Sequence, residues 1–346
     1  MKFDTLGDTD IQVSRICLGT MTFGEQNTEV EAHDQLDYAL TQGINFIDTA
    51  ELYAVPPSRD TQGLTEQFIG TWLARRGKRD DLIMASKIVG PSNGIDWVRS
   101  DLNFSKESIR TALEDSLKRL QTDYIDLYQL HWPERKTNFF GKLGYSQDED
   151  DPWMDNFVSI LEEIQTLIRE GKIRYFGLSN ETPWGVMRFL HLAEKFNLPR
   201  LVSVQNPYSL LNRSYEVGLA EVSVRERVGL LAYSPLAFGL LSGKYHRKED
   251  KPGDRINQFK QMSRYNSESS WYATERYIEI AASHAITPAQ LSLAFVNSRP
   301  FVTSNIIGAT TLEQLKENIG SIDIDLSDDA IQEIDKVQNE ISNPAP

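Results

Sequence analysis

The sequence predicts an α/β protein folded as a (β/α)8 TIM barrel, and three observations carry that expectation. Eight short runs of apolar and β-branched residues recur at 16–19, 44–48, 82–87, 125–131, 173–179, 201–205, 230–234 and 304–307. They are almost continuously apolar, as strands buried on both faces are. Helical periodicity fills the intervals: Ile109, Leu113, Leu117 and Leu120 form one stripe, Ile160, Ile164, Leu167 and Ile168 a second, Val186, Phe189, Leu190 and Ala193 a third. Loop lengths are lopsided. Short turns follow helices, at Gly43, 170–172 and 197–200, whereas the long irregular stretches 88–105, 132–156 and 235–266 follow strands. Strand, helix, strand, repeated eight times, means parallel pairing through right-handed crossovers, and eight such units close a barrel. The long loops then share the C-terminal face, where barrel enzymes keep their sites. The alternative, an open doubly wound sheet, would carry a G-x-G-x-x-G fingerprint that this chain lacks.

Local signals support each element in turn. Residues 1–15, with Gly7-Asp8 between two β-like pieces, read as an N-terminal β-hairpin able to plug the barrel floor. Thr28 with Glu31 spells a capping box, and Thr182 before Pro183 places a cap ahead of a proline at the first helical position. Gly43 and Gly171 stand where helices should stop. Ser327, followed by Asp328 and Asp329, starts an extra C-terminal helix with favourable dipole charges, with Leu326 stapling to Ile331. Ile331, Ile334 and Val337 give that helix one apolar stripe. Residues 1–346 are expected to form a single barrel domain.

Composition narrows the function. The 346 residues include 36 Lys and Arg against 50 Asp and Glu, a formal charge of −14. That balance argues against nucleic acid as a partner, because such binding rests on basic side chains neutralising phosphates. An anionic ligand needs a local basic pocket instead. Cys17 is the only cysteine, so an internal disulfide and a cysteine-rich zinc site are both excluded. It is expected as a small buried residue in a strand. The longest mostly apolar run, 229–241, is broken by Ser234 and Pro235 and is too short to span a bilayer. No signal peptide is visible, and a cytoplasmic protein with no obligate protein partner is expected. The acidic run 148–151 reads as a solvated loop, and no metal site is expected.

The strand ends are polar. The second run ends at Asp48, the third at Lys87 and the fourth at His131. The fifth ends at Ser179-Asn180, the sixth at Gln205-Asn206 and the seventh at Tyr233-Ser234. Singly, each has a bland reading as a turn cap, a snorkelling lysine or a hydrogen-bonded core histidine. Together they converge on one mouth, where an unpaired Lys or Asp would be costly to bury. A lysine paired with an aspartate beside a histidine makes an acid–base cluster.

These residues also resemble a known family. Asp48-Thr49-Ala50-Glu51-Leu52-Tyr53, Ser86-Lys87 and Leu130-His131-Trp132-Pro133 resemble the aldo-keto reductases. The resemblance implies a catalytic tetrad of Asp48, Tyr53, Lys87 and His131. It runs over almost the whole chain and implies a cofactor lining of Gly19, Thr20, Asp48, Ser179, Asn180, Gln205, Tyr233, Ser234, Pro235, Leu236, Gly308, Ala309, Thr310, Gln314 and Asn318. Within the family, Val55-Pro56-Pro57, the stretch from Thr61 to Glu66 and that from Phe140 to Ser146 look like the bacterial Tas-type NADP(H)-dependent members. The potassium-channel β subunits are similar more distantly.

The chemistry implied is hydride addition to a carbonyl, which builds negative charge on oxygen and needs a proton there. Tyr53 would be the acid. Lys87, held by Asp48, would lower its pKa from the usual ~10. His131 would donate a hydrogen bond to the carbonyl oxygen. Ser179, Asn180 and Gln205 could bind a carboxamide, and Tyr233 offers a flat face for a nicotinamide ring. Ser234 to Lys244 reads as a flexible loop; with Ala237, Gly239, Ser242, Gly243 and Lys244 it could embrace a pyrophosphate. Many family members carry Lys-Ser where this chain has Gly308-Ala309, so Lys244, Arg255 and Gln314 would grip the 2′-phosphate of NADP(H). Trp132 and Trp97 are expected to wall a pocket for a small-molecule carbonyl substrate. Two rival readings are a nucleotide-sensing regulatory subunit of slow turnover and a Schiff-base aldolase using Lys87.

Overall fold

A computed structural model describes residues 1–92, 94–259 and 263–346. Asn93 and Lys260 to Met262, inside two of the long loops, lie outside the described residues.

Two short antiparallel strands, β1 (Phe3–Thr5) and β2 (Gln12–Ser14), form the expected hairpin. Its Leu6, Ile11 and Val13 pack with the inward-facing Cys17, Phe46, Leu127 and Ile306, so the hairpin plugs the barrel. Gly7 turns the hairpin at φ 60°, and a β-carbon there would meet the Val202 carbonyl oxygen at 2.5 Å. Only glycine tolerates both conditions.

The barrel then builds in order: β3 (Ile16–Gly19), α1 (Glu29–Thr41), β4 (Phe46–Asp48), α2 (Leu64–Arg76), β5 (Ile83–Ile88), α3 (Lys106–Leu120), β6 (Ile125–Leu130) and α4 (Phe157–Arg169). It continues through β7 (Ile173–Ser179), α5 (Pro183–Phe196), β8 (Ser203–Pro207), α6 (Leu219–Glu226) and β9 (Gly229–Tyr233). After a long insertion holding the four-residue helix α7 (Arg255–Gln258), α8 (Glu268–Ser283) and α9 (Pro288–Asn297) lead to β10 (Val302–Ile307). The eight strands β3 to β10 are all parallel and close on themselves, β10 pairing β3. Two helices follow, α10 (Leu312–Gly320) and α11 (Asp328–Glu340), the latter packed on α8.

The start and stop signals work as read. Thr28 and Glu31 close a capping box on α1, and Thr182 and Ser327 accept the backbone N–H three residues on. Gly43 and Gly171 take positive φ one residue past their helix caps. Ile334 and Val337 are buried, and Leu326 and Ile331 pack against the same core from its edge. Cys17 is fully buried in β3.

Boundaries shift where polar residues take over. β4 starts at Phe46 rather than 44, β8 runs on to Pro207, and β10 starts two residues earlier, at Val302. The stretch expected as a flexible loop after β9 is instead a 3-10 turn, Ala237–Ser242, with Phe238 and Gly239 in left-handed conformation. Short apolar side chains, Leu240 and Leu241, bury beneath it and hold it. Asp148 and Asp151, in the acidic run, are exposed or half-buried and bind Lys136.

α2 and α3 pack closely through Gly70, where a β-carbon would lie 2.1 Å from the Arg119 carbonyl oxygen. Gly70→Ala must push the two helices apart. We expect it to lower stability by about 1–3 kcal/mol, as overpacking does, read as a lower urea midpoint with unchanged m-value.

Candidate active site

Parallel register brings the polar strand ends to one level. Asp48 ends β4, Lys87 stands one residue before the end of β5, and His131 follows β6 directly. Lys87 is completely buried and uses all three ammonium protons. Its Nζ lies 2.7 Å from Asp48 Oδ2, 2.8 Å from the Thr49 carbonyl oxygen and 3.4 Å from the Tyr53 hydroxyl. Asp48 Oδ1 accepts from Gln205 Nε2 at 2.8 Å and from Gln129 Nε2 at 3.4 Å. Tyr53 sits on the loop after β4, pinned by the Gly63 N–H donating to its carbonyl oxygen at 2.7 Å. Its ring meets the His131 ring edge-on, centroids 5.9 Å apart. The four tetrad residues therefore lie together.

Their electrostatics are uneven. Burial works against the Lys87 ammonium, but Asp48 and Tyr53 outweigh it and hold its pKa above the ordinary lysine range. A lysine so held is not a free amine, which removes support from the Schiff-base reading. Burial, reinforced by Lys87, pushes the His131 imidazole well below its usual range, so it is neutral. Its Nδ1 is buried without a partner. Tyr53 corrects an expectation. Burial raises its pKa by more than Lys87 lowers it, so the phenol stays protonated.

A cavity of about 1030 Å³ opens over this cluster. It is lined by Asp48, Tyr53 and His131, and by all the expected cofactor positions except Ala237 and Gly243. Lys87 lies behind Asp48 and Tyr53 rather than on the wall.

The amides at the strand ends mostly bind each other. Ser179 Oγ donates to the Gln205 carbonyl, and Asn180 Nδ2 donates to the His131 carbonyl at 2.8 Å and to Ser179 Oγ at 3.1 Å. The Tyr233 hydroxyl donates to Asn180 Oδ1 at 2.6 Å, and burial pushes its pKa up to about 12. Among the described residues, Gln205 Oε1 keeps no intramolecular partner. Beyond β10, Gln314 Oε1 accepts from Thr310 N, and Asn318 Nδ2 donates to the Gly308 carbonyl, shaping the stretch 308–310.

The basic residues differ in what they hold. Lys244 is bound to Asp254 at 2.5 Å. Arg255 forms no ion pair among the described residues; it rests 3.3 Å from Gln26 Oε1, near Met21, and over the Phe238 ring. Gly308 leaves open space, with nothing within 4 Å of a β-carbon built there.

Trp132 lines the cavity beside His131, ring centroids 4.9 Å apart. Trp97 does not. It packs against Leu52, Val89 and Trp132, and its indole N–H donates to the Gly94 carbonyl at 3.2 Å. Ile95 and Phe140 occupy the lining instead.

The comparisons with known proteins agree with this geometry. The profile of the Aldo/keto reductase family matches residues 15–339. Over 350 aligned residues the chain is 54% identical to protein tas of Escherichia coli K12, covering 100% of both chains. It is 34% identical to the uncharacterized oxidoreductase YrpG of Bacillus subtilis, over 97% of this chain and 96% of that one. It is 25% identical to norsolorinic acid reductase B of Dothistroma septosporum, over 97% and 81%. The chain belongs to the aldo/keto reductase family. As a member of that family of oxidoreductases it has a (β/α)8 barrel with the N-terminal hairpin described above.

Sequence reasoning missed Gln129, which faces inward one residue before the end of β6, and the cavity-lining Met21, Gln26, Phe140 and Arg264. Gln129 had a signal, being a lone amide in the otherwise apolar run Leu127 to Leu130. The others sit on loops with no periodicity.

The histidine gives a pH prediction. Its folded pKa lies below the unfolded value near ~6.5, so the unfolded chain gains a proton first as pH falls. Stability from His131 is complete above that value and is lost on acidification towards the depressed folded pKa. The melting temperature should therefore fall below pH 6.5 less steeply in His131→Asn than in wild type.

Proposed function

We propose that the protein is an NADP(H)-dependent oxidoreductase that reduces aldehyde or ketone carbonyls to alcohols in the cytoplasm. The observation that carries this reading is the contact of Lys87 Nζ with both Asp48 and the Tyr53 hydroxyl, beside His131 on a cavity wall.

The residues present fit a nicotinamide dinucleotide. The cavity runs from the tetrad, past Tyr233 and the 3-10 turn, to the start of α10, and it is large enough for an extended ligand. Gln205 Oε1 is the acceptor left for a carboxamide, Tyr233 offers its ring, and Arg255 is a guanidinium without an acid. When bound, the cofactor supplies the hydride.

The side chains supply the rest. His131, neutral, donates its N–H to the carbonyl oxygen and polarises it. Tyr53, kept protonated by burial, delivers its proton to that oxygen as negative charge builds there. The resulting tyrosinate is stabilised by the Lys87 ammonium 3.4 Å away. Asp48 keeps Lys87 charged and in place. Leu52, Ile95 and Trp132 keep water from the reacting carbon.

Tyr53→Phe is expected to cut carbonyl reduction by a factor on the order of 10²–10⁴ with NADPH affinity nearly unchanged, the usual worth of a positioned acid. Near-wild-type kcat would remove Tyr53 from the chemistry. For the phosphate, Lys244 is already paired with Asp254, and Gln314, whose Oε1 holds Thr310, offers only a neutral amide N–H. Of the three expected side chains, Arg255 is thus the unpaired cation left to read it. Arg255→Ala should weaken NADPH much more than NADH in fluorescence titrations, and equal losses would exclude that role.

A further inference from the structure

Gln129 is fully buried one residue before the end of β6, behind the cavity wall rather than on it. Its Nε2 donates to Asp48 Oδ1 at 3.4 Å, and its Oε1 accepts from Gln205 Nε2, also at 3.4 Å. Gln205 Nε2 gives its other proton to the same Asp48 oxygen, at 2.8 Å. Three side chains from β4, β6 and β8 thus close a ring of hydrogen bonds. The amide orientations follow from the chemistry. A carboxylate paired with an ammonium only accepts, so both amides must turn their NH2 groups towards Asp48. The carbonyl oxygen of Gln129 is then left for the second proton of Gln205. With both N–H groups of Gln205 used inside the barrel, its Oε1 is the amide atom left for the cavity that this side chain lines.

The strand neighbours of Gln129 do not replace it. Lys87, paired with it on β5, gives its three protons to Asp48, Thr49 and Tyr53, and Gly177, paired with it on β7, has no side chain. Without the Gln129 amide, one Gln205 proton loses its acceptor and Asp48 loses a donor. We propose that Gln129 is a positioning residue that couples the cofactor site to the tetrad. It locks the Gln205 amide with Oε1 towards the cavity, ready to accept from the carboxamide N–H of a nicotinamide cofactor. It also shares the charge of Asp48. This rests on the reductase reading of the tetrad. The second effect has a sign: a carboxylate relieved by two amide donors draws the Lys87 ammonium less strongly, and more of its field falls on the Tyr53 hydroxyl 3.4 Å away. Gln129 itself touches neither substrate nor cofactor, and acts through Asp48 and Gln205.

The test titrates tryptophan fluorescence with NADPH and with its 3-acetylpyridine analogue, which keeps the ring carbonyl but has a methyl group in place of the NH2. Wild type should prefer NADPH. Gln129→Met, close in volume but unable to donate, should reduce that preference by about 3- to 10-fold, the worth of one neutral hydrogen bond. With para-nitrobenzaldehyde and NADPH, the same variant should lose about 10-fold in kcat with the KM of the aldehyde nearly unchanged. Gln129→Glu separates positioning from packing. Protonated, its carboxyl keeps one donor for Asp48 and one acceptor for Gln205, so kcat at low pH should stay near wild type. Ionised, it sets a second anion beside Asp48, and kcat should fall with rising pH through a titration that wild type lacks. The charged groups at this level are Asp48 and Lys87, with the Tyr53 phenol beyond; β7 and β8 bring the neutral Gly177 and Gln205, and β3 the buried thiol of Cys17. A wild type without preference for NADPH, a preference unaltered in Gln129→Met, or a Gln129→Glu profile parallel to wild type overturns the proposal. Should Gln129→Met not fold, the Gln129→Glu profile decides alone. If wild type does not reduce the aldehyde, the reductase reading fails, and the binding preference decides the lock on Gln205 by itself: its loss in Gln129→Met upholds the lock, and its persistence overturns it.

Discussion

A fully buried ammonium is the constraint on which the site depends. Taking Lys87 out of water costs several kcal/mol on the order of the effective penalty for one ion, and only close partners offset it. Three oxygens surround its Nζ, from Asp48, Thr49 and Tyr53. Asp48 in turn is a buried carboxylate and needs its own donors, which Gln205 and Gln129 supply. Strand register makes this possible: Asp48 pairs with Ala85, Lys87 with Gln129, and Ser179 with Gln205 across successive parallel ladders. Four strands thus have polar inward residues fixed by one charge. Replacing any of them by an apolar residue leaves a neighbour unsatisfied, so the cluster stands or falls together.

Around that centre, further charges hold the loops still. Glu51, two residues before Tyr53, binds Arg99 and accepts the Val89 N–H, tying the loop after β4 to the loop after β5. Gln62 donates to the Glu51 carbonyl at 2.6 Å. Glu66 on α2 accepts from Ser86 next to Lys87 and pairs with Arg119 on α3. These contacts leave Tyr53 little freedom, which a proton donor needs if its hydroxyl is to meet a carbonyl oxygen in one geometry.

The fold was legible because parallel strands buried on both faces write continuous apolar runs, and because capping residues such as Thr28 and Thr182 mark helix starts chemically. Asp48, Lys87 and His131 were legible because they close strands, so their order along the chain maps onto neighbours around the barrel, whereas Tyr53, on the loop after β4, was legible through the family resemblance. What escaped has a physical reason in each case. Gln129 faces inward one residue before the end of β6, where its purpose depends on Asp48 from another strand. Arg264 and Phe140 occupy loops whose path is set by tertiary packing. Trp97 carries the right chemistry, but the loop after β5 packs it against Leu52, Val89 and Trp132 rather than onto the cavity lining. The acidity of Tyr53 is a balance of two large opposing effects, and a sequence supplies the signs without the burial that decides between them.

That balance has a further consequence for how the site rests. Burial keeps both Tyr53 and His131 uncharged, one as a phenol and one as an imidazole, while Lys87 stays charged against Asp48. Each neutral group retains a proton to donate, and the fixed positive charge lies behind the tyrosine rather than on the cavity wall. A carbonyl oxygen entering between them meets two donors and no competing anion. In the reduction proposed above, negative charge developing on that oxygen would pass, with the proton transfer, to the tyrosine, and so towards the ammonium and its paired carboxylate. The ion pair need not move for this, and its preorganisation in a buried site is what would give a 3.4 Å contact its influence on the proposed reaction.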